Sequence, residues 1–233
     1  MIETWAPPLP FLKAFRIYTL SNLARYIPGK IWQLLGVAYL ADKENVSGMK
    51  ASYTTAISFI VSIISGGIFS IIFLYQNPLV RKYVDVKSII FLLVLLLILI
   101  HPYFIVKLTN IMRKIVKRDF EIVTLRLFEL IKFFFLFSVF WIIYGIAFIF
   151  FVKSFYSIDL ISDISIAAIY PLSFIAGYLV LVAPGGLGVR EGMVTYLLTF
   201  YMPLSVAGII AVSSRIWFTS AELVSVAVAL RVR

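Results

Sequence analysis

The sequence predicts an all-α polytopic integral membrane protein, with about six transmembrane helices and re-entrant or interfacial half-helices at two Pro-Gly motifs. Three observations predict it. The 233 residues are 62% apolar and 14% charged, whereas a soluble domain is nearer half apolar and a quarter charged. Mean hydropathy is +1.04, and several apolar runs reach the roughly 20 residues that cross a bilayer. Two shorter apolar segments each open on a Pro-Gly break beside a fixed charge: RYIPGKIWQLLG over 25–36 and LVAPGGLGVREGM over 181–193. In lipid an open backbone costs several kcal/mol per unsatisfied group, so such breaks persist only where protein or a water-filled cavity covers them. Paired broken segments of this kind point to a site at bilayer depth.

Along the chain, Met1–Tyr26 reads as a mixed, basic segment in which Pro7, Pro8 and Pro10 break any helix. Ile27–Ala41 is apolar but too short to span. Tyr53–Tyr75 is a span, with Gly66 and Gly67 small enough for close helix packing. Ser88–Val106 is the most apolar span, kinked near its end by His101-Pro102. Over 107–132 lie seven Lys/Arg, with Leu108, Ile111, Met112, Ile115 and Val116 at helical spacing. This stretch reads as an amphipathic helix in the cytoplasmic interface. Phe133–Val152 is an aromatic-rich span, and Ile164–Ala183 is a span interrupted by Pro171. Beyond the second Pro-Gly segment, Gly192–Ser213 and Arg215–Leu230 read as two spans. The rival is a re-entrant half-helix, Gly192–Met202, followed by one tilted span. Basic loops face the cytoplasm, which places 107–132 inside and the protein in the cytoplasmic membrane.

Several classes of chemistry are excluded. Without Cys there is no disulfide framework or thiolate site, and one His (His101) rules out a multi-histidine metal centre. No metal or cofactor is expected. The +10 charge is a membrane-topology signal rather than a nucleic-acid one. Neither a Walker-type phosphate loop nor a nucleophile triad is present, so the chain is not expected to be an enzyme.

Three constellations remain. Arg25, Pro28, Gly29, Lys30, Trp32 and Gln33 surround the start of a half-helix. Its unpaired N–H groups and positive dipole end suit an anion. The same residues equally describe an interfacial anchor with snorkelling cations. Pro184, Gly185, Gly186, Gly188, Arg190 and Glu191 form the second. The glycines admit positive φ and close approach, and Arg190 offers a fork for carboxylate or phosphate. A tight turn obeying the positive-inside rule is the alternative. The third is Arg215 with Glu222, ionisable residues inside an apolar run. Seven residues apart, they stand about 10 Å apart along a helix and cannot pair with each other. Glu222 is expected to find Arg190, Lys30 or Arg25, and Arg215 to find Glu191. A register-fixing structural pair explains them as well.

The ordered motifs RYIPGKIWQLLGVAYL, APGGLGVREG and SRIWFTSAEL resemble the flippase-like membrane proteins related to the transmembrane region of lysylphosphatidylglycerol synthase. The likeness covers 21–233 of what reads as a single domain, 1–233. Members carry further spans ahead of the first motif, so the resemblance implies a shortened or misassigned start. It also implies translocation of lipids or lipid-linked precursors, with the three constellations as substrate-binding residues. Movement would be downhill or ion-coupled, with Glu222 the natural proton carrier. No aminoacyl-transfer domain follows the last span, so aminoacyl transfer is not expected. The other functional reading is a non-transporting subunit that recruits a glycosyltransferase or lipid-modifying enzyme through Lys114, Lys117 and Arg118.

Overall fold

The computed structural model describes residues 9–28, 31–77, 81–82, 85–100, 103, 107, 127–158, 160–180 and 182–232. Every regular element among them is helical. In order these are α1 (Phe11–Asn22), a 3-10 turn (Leu23–Tyr26), α2 (Ile31–Lys43), α3 (Gly48–Leu74) and α4 (Val86–Ile100). They are followed by α5 (Leu127–Lys153), α6 (Leu160–Leu179), a turn at Pro184–Gly186, α7 (Val189–Leu198) and α8 (Leu204–Arg231). α3, α5 and α8, of 27, 27 and 28 residues, are long and apolar enough to cross a membrane, and α4 and α6 carry shorter apolar stretches.

The packing is that of a protein solvated by lipid. Large apolar side chains point outward, among them Phe91, Phe135, Phe150 and Leu223. Small and polar ones point inward, including Thr54, Ser65, Ser70, Ser173 and Ser214. The hydroxyls of Thr54, Ser58, Ser138 and Ser173 return to backbone carbonyls four residues back, which satisfies them without water. α3 is the hub and packs on α2, α4, α5 and α6. The main core joins α3, α5, α6, α7 and α8 through Phe148, Ile166, Ile169, Leu198 and Ile210. Close crossings depend on small residues. At Gly66 a Cβ would lie 2.8 Å from the Trp141 ring, whose indole donates to Ser62 O.

Two arms of the fold follow one plan. α1–α2–α3 and α6–α7–α8 each run as helix, Pro-Gly break, half-helix and long helix. α2 and α7 have 13 and 10 residues, so they extend about 20 and 15 Å. That is about half to two-thirds of the hydrocarbon core.

The structure corrects four expectations. The proline-rich start does carry a helix, α1, because all three prolines precede it and Pro10 takes the N-cap position. Pro171 lies inside α6 without interrupting it. Proline has no N–H for the Ala167 carbonyl, and Gly145 of α5 packs against that oxygen instead, where a Cβ would come within 2.8 Å. The segment 127–132 belongs to α5 rather than to an interfacial helix, and Leu130 is fully buried there. Finally, 204–231 is one helix with no break at Ser213-Ser214, and the Ser214 hydroxyl simply returns to Ala211 O. A short helix, Val189–Leu198, followed by one long helix is the order that the rival reading of this region called for. Among the described residues five apolar helices are span candidates, three of them long enough to cross a membrane by length and composition. His101, Pro102 and 108–126, which held the expected kink and most of the basic segment, lie outside the described residues.

Candidate functional site

The two breaks meet. The ring of Tyr26, in the turn after α1, lies against Gly185, where a Cβ would sit 2.7 Å from it. Gly185 has φ +59°, a conformation glycine adopts without a Cβ penalty. Pro184 then Gly185 is the residue order a type II turn favours, and Gly186 N donates back to Ala183 O at 3.0 Å.

Around this contact the charged residues form two linked pairs. On one side Glu222 of α8 accepts from Arg25 Nη2 at 2.5 Å, Tyr26 Oη at 2.8 Å and Asn22 Nδ2 at 3.0 Å. On the other, Arg215 donates to the Gly185 carbonyl at 3.0 Å, with its Nε 3.4 Å from Glu191 Oε1. The second distance is that of an ion pair, and Glu191 Oε1 has no hydrogen-bond donor. The other oxygen of Glu191 accepts from Gly188 N at 2.7 Å and caps α7. Tyr26 connects the pairs: its hydroxyl is on Glu222 and its ring faces the Arg215 guanidinium, 5.9 Å from the centroid. Of the partners open to Glu222 in the sequence, Arg25 is on it and Arg190 is not, while Lys30 lies outside the described residues. Glu191 is indeed beside Arg215.

Arg190 is placed differently. Its stem occupies the space a Cβ on Gly177 would need, 2.3 Å from Cγ. Its guanidinium donates to Tyr170 Oη at 2.7 Å and lies over the Phe174 ring at 4.7 Å. Arg190 is therefore a buried pillar between α6 and α7 as well as a wall of the crevice described next. That crevice is lined by Tyr170, Ser173, Arg190, Glu191, Ser214 and Arg215, and holds no more than about one water molecule. In this conformation the cluster is closed.

The remaining predicted residues are dispersed. Trp32 is exposed and its indole donates to Pro28 O at 3.0 Å, bracing the first break. Gly188 takes φ +78° in open space. Gly29 and Lys30 lie outside the described residues. Sequence reasoning missed Asn22, Tyr26 and Tyr170. Tyr26 is flanked by Arg25 and the first Pro-Gly break, the one local signal available; Asn22 and Tyr170 carry none. Gln33, quoted with the first motif, is buried and donates to Asn22 Oδ1 at 2.9 Å.

Apolar helices facing outward, a buried charged cluster between them, and helix hydroxyls returned to backbone carbonyls define a multi-pass α-helical membrane protein. The chain belongs to the family described as the lysylphosphatidylglycerol synthase TM region, whose model matches residues 1–219. That match begins ahead of Ser21 and includes Arg215 and Trp217, stopping short of Glu222. Neither the curated proteins nor the solved structures compared with the chain give a match.

Proposed function

We propose that the protein translocates lipids or lipid-linked precursors across the cytoplasmic membrane, with an anionic headgroup taken up where the two Pro-Gly breaks meet. The meeting of Tyr26 with Gly185, beneath Arg215, carries this reading. It brings guanidinium groups together at a depth where an unneeded charge is costly. α7 begins just after this turn, and a helix N-terminus favours anions. The headgroup phosphate would pair with Arg25 and Arg215 while the acyl chains stay in lipid. Glu191 and Glu222 hold those arginines in the closed state, and exchange of carboxylate for phosphate opens the crevice. Membrane phospholipids or lipid-linked precursors are the partners this chemistry fits.

The test is a bilayer assay in reconstituted vesicles, following fluorescent phosphatidylglycerol by dithionite quenching. Wild-type protein is expected to move the lipid faster than empty vesicles, and Arg215→Gln to fall to the empty-vesicle rate. No acceleration by wild-type protein refutes the reading. It would then favour the recruiting-subunit alternative, in which charge reversal at Lys114, Lys117 and Arg118 removes a co-purifying enzyme.

A further inference from the structure

The three donors on Glu222 come from one short stretch of chain. Asn22, Arg25 and Tyr26 span the end of α1 and the turn that follows. Together they offer an amide N–H, a guanidinium N–H and a phenol O–H to a single carboxylate. The stretch is arranged for that purpose. Buried Gln33 and, at 3.5 Å, Arg25 Nη1 both donate to Asn22 Oδ1, which turns the amide nitrogen toward Glu222. Such a group of convergent donors, one of them charged, is an oxyanion site. Its occupant arrives from a different element, the middle of α8, which packs directly on α1. The Glu222 carboxylate takes its hydrogen bonds from side chains of residues 22–26, so withdrawing it disturbs the contacts of one side chain and leaves the helical bonding of α8 in place.

The charge balance points the same way. Three guanidiniums (Arg25, Arg190 and Arg215) face two carboxylates (Glu191 and Glu222) in the described part of the cluster. Arg25 Nε is buried and has no acceptor. The two carboxylates therefore leave both charge and a donor unmatched, and a tetrahedral oxyanion with more acceptor oxygens would match them better.

We infer that residues 22–26 form a phosphate cage and that Glu222 is its internal occupant, displaced when a phosphate-bearing ligand binds. This rests on the anionic-headgroup reading above and assigns Glu222 the opposite part from a binding residue. Glu222 competes with the ligand instead of holding it.

The experiment measures binding of short-chain phosphatidylglycerol, and separately of inorganic phosphate, to the purified full chain in detergent, wild type against Glu222→Gln. Gln keeps the shape and removes the charge. Freed from a charged internal competitor, the cage is expected to bind about ten- to a hundredfold more tightly. Tightening for phosphatidylglycerol alone identifies a lipid headgroup as the ligand, and tightening for both probes identifies free phosphate as sufficient. Wild-type binding of phosphatidylglycerol that is unchanged or weakened in Glu222→Gln overturns the inference and leaves the headgroup reading intact. Absence of binding by both proteins overturns the two together. A second measurement needs no variant. Carbodiimide labelling of Glu222 in wild-type protein, read by peptide mass spectrometry, is expected to rise when phosphatidylglycerol saturates the site. Unchanged or reduced labelling overturns the displacement.

Discussion

Replacing Gly185 with Ala tests whether the two Pro-Gly breaks depend on each other. Two separate costs follow from the geometry. At φ +59° an L-residue is in the left-handed region, at about 1–2 kcal/mol. The new Cβ would also lie 2.7 Å from two carbons of the Tyr26 ring, so the ring must move. Moving it breaks the Tyr26–Glu222 hydrogen bond, and a bond to a charged group contributes about 1.5–3 kcal/mol. The substitution should cost about 3–5 kcal/mol in wild type. In a Tyr26→Ala background the ring is gone and only the backbone term of about 1–2 kcal/mol remains. Thermal unfolding of the four proteins in mild detergent reads the difference. For a chain of this size each kcal/mol moves Tm by about 2–4 °C, so the loss should be about 10 °C in wild type and markedly smaller without Tyr26. Equal losses in the two backgrounds would refute the contact between the breaks, because independent sites add and only touching ones couple.

Other positions give sharper or opposite signs. Gly145→Ala should destabilise by about 1–3 kcal/mol, since its Cβ would press on the backbone oxygen of Ala167. Gly192→Ala, in open space on α7, should instead stabilise by up to about 1 kcal/mol; matching signs in a thermal-shift assay would contradict the packing described. Tyr170→Phe should cost about 1–3 kcal/mol, because Arg190 loses a buried acceptor, and an unshifted Tm would show that the bond is dispensable. Outside the membrane-spanning segments, hydrogen bonds from the Ser88 hydroxyl and amide hold the Asp85 carboxyl below its ordinary value. The cap on α4 is therefore intact above the ordinary carboxylate range and fades as pH falls through the lowered one. An NMR titration of Asp85 with a midpoint at or above 3.8 would contradict it.

Hydropathy made the bilayer helices legible. α3, α5 and α8 contain the apolar runs that composition singled out, and both half-helices start just past a Pro-Gly pair. The failures have local causes. Three prolines argue against a helix by composition, but Pro10 at a helix start costs nothing because the first N–H groups are unpaired in any case. Pro171 has the propensity of a break, although neighbouring helices can receive the carbonyl it leaves free. Gly192–Ser213 and Arg215–Leu230 read as two spans, yet a charge such as Arg215 can sit mid-helix once another element supplies its partner.

The sequence by itself determined that the chain lives in a bilayer, where its backbone must break, and that Arg25, Glu191, Arg215 and Glu222 require partners. These follow from transfer free energies and backbone stereochemistry, which are local to each residue. Only the tertiary structure decided which partners they take, that Tyr26 and Asn22 join them, and that Arg190 is a pillar between Gly177 and Gly186. Those outcomes depend on α1 meeting α8 and on α6 crossing α7, contacts between residues 197 positions apart in one case and 20 in the other. An uncharged side chain such as Asn22 or Tyr170 carries no mark of such a contact until packing creates it.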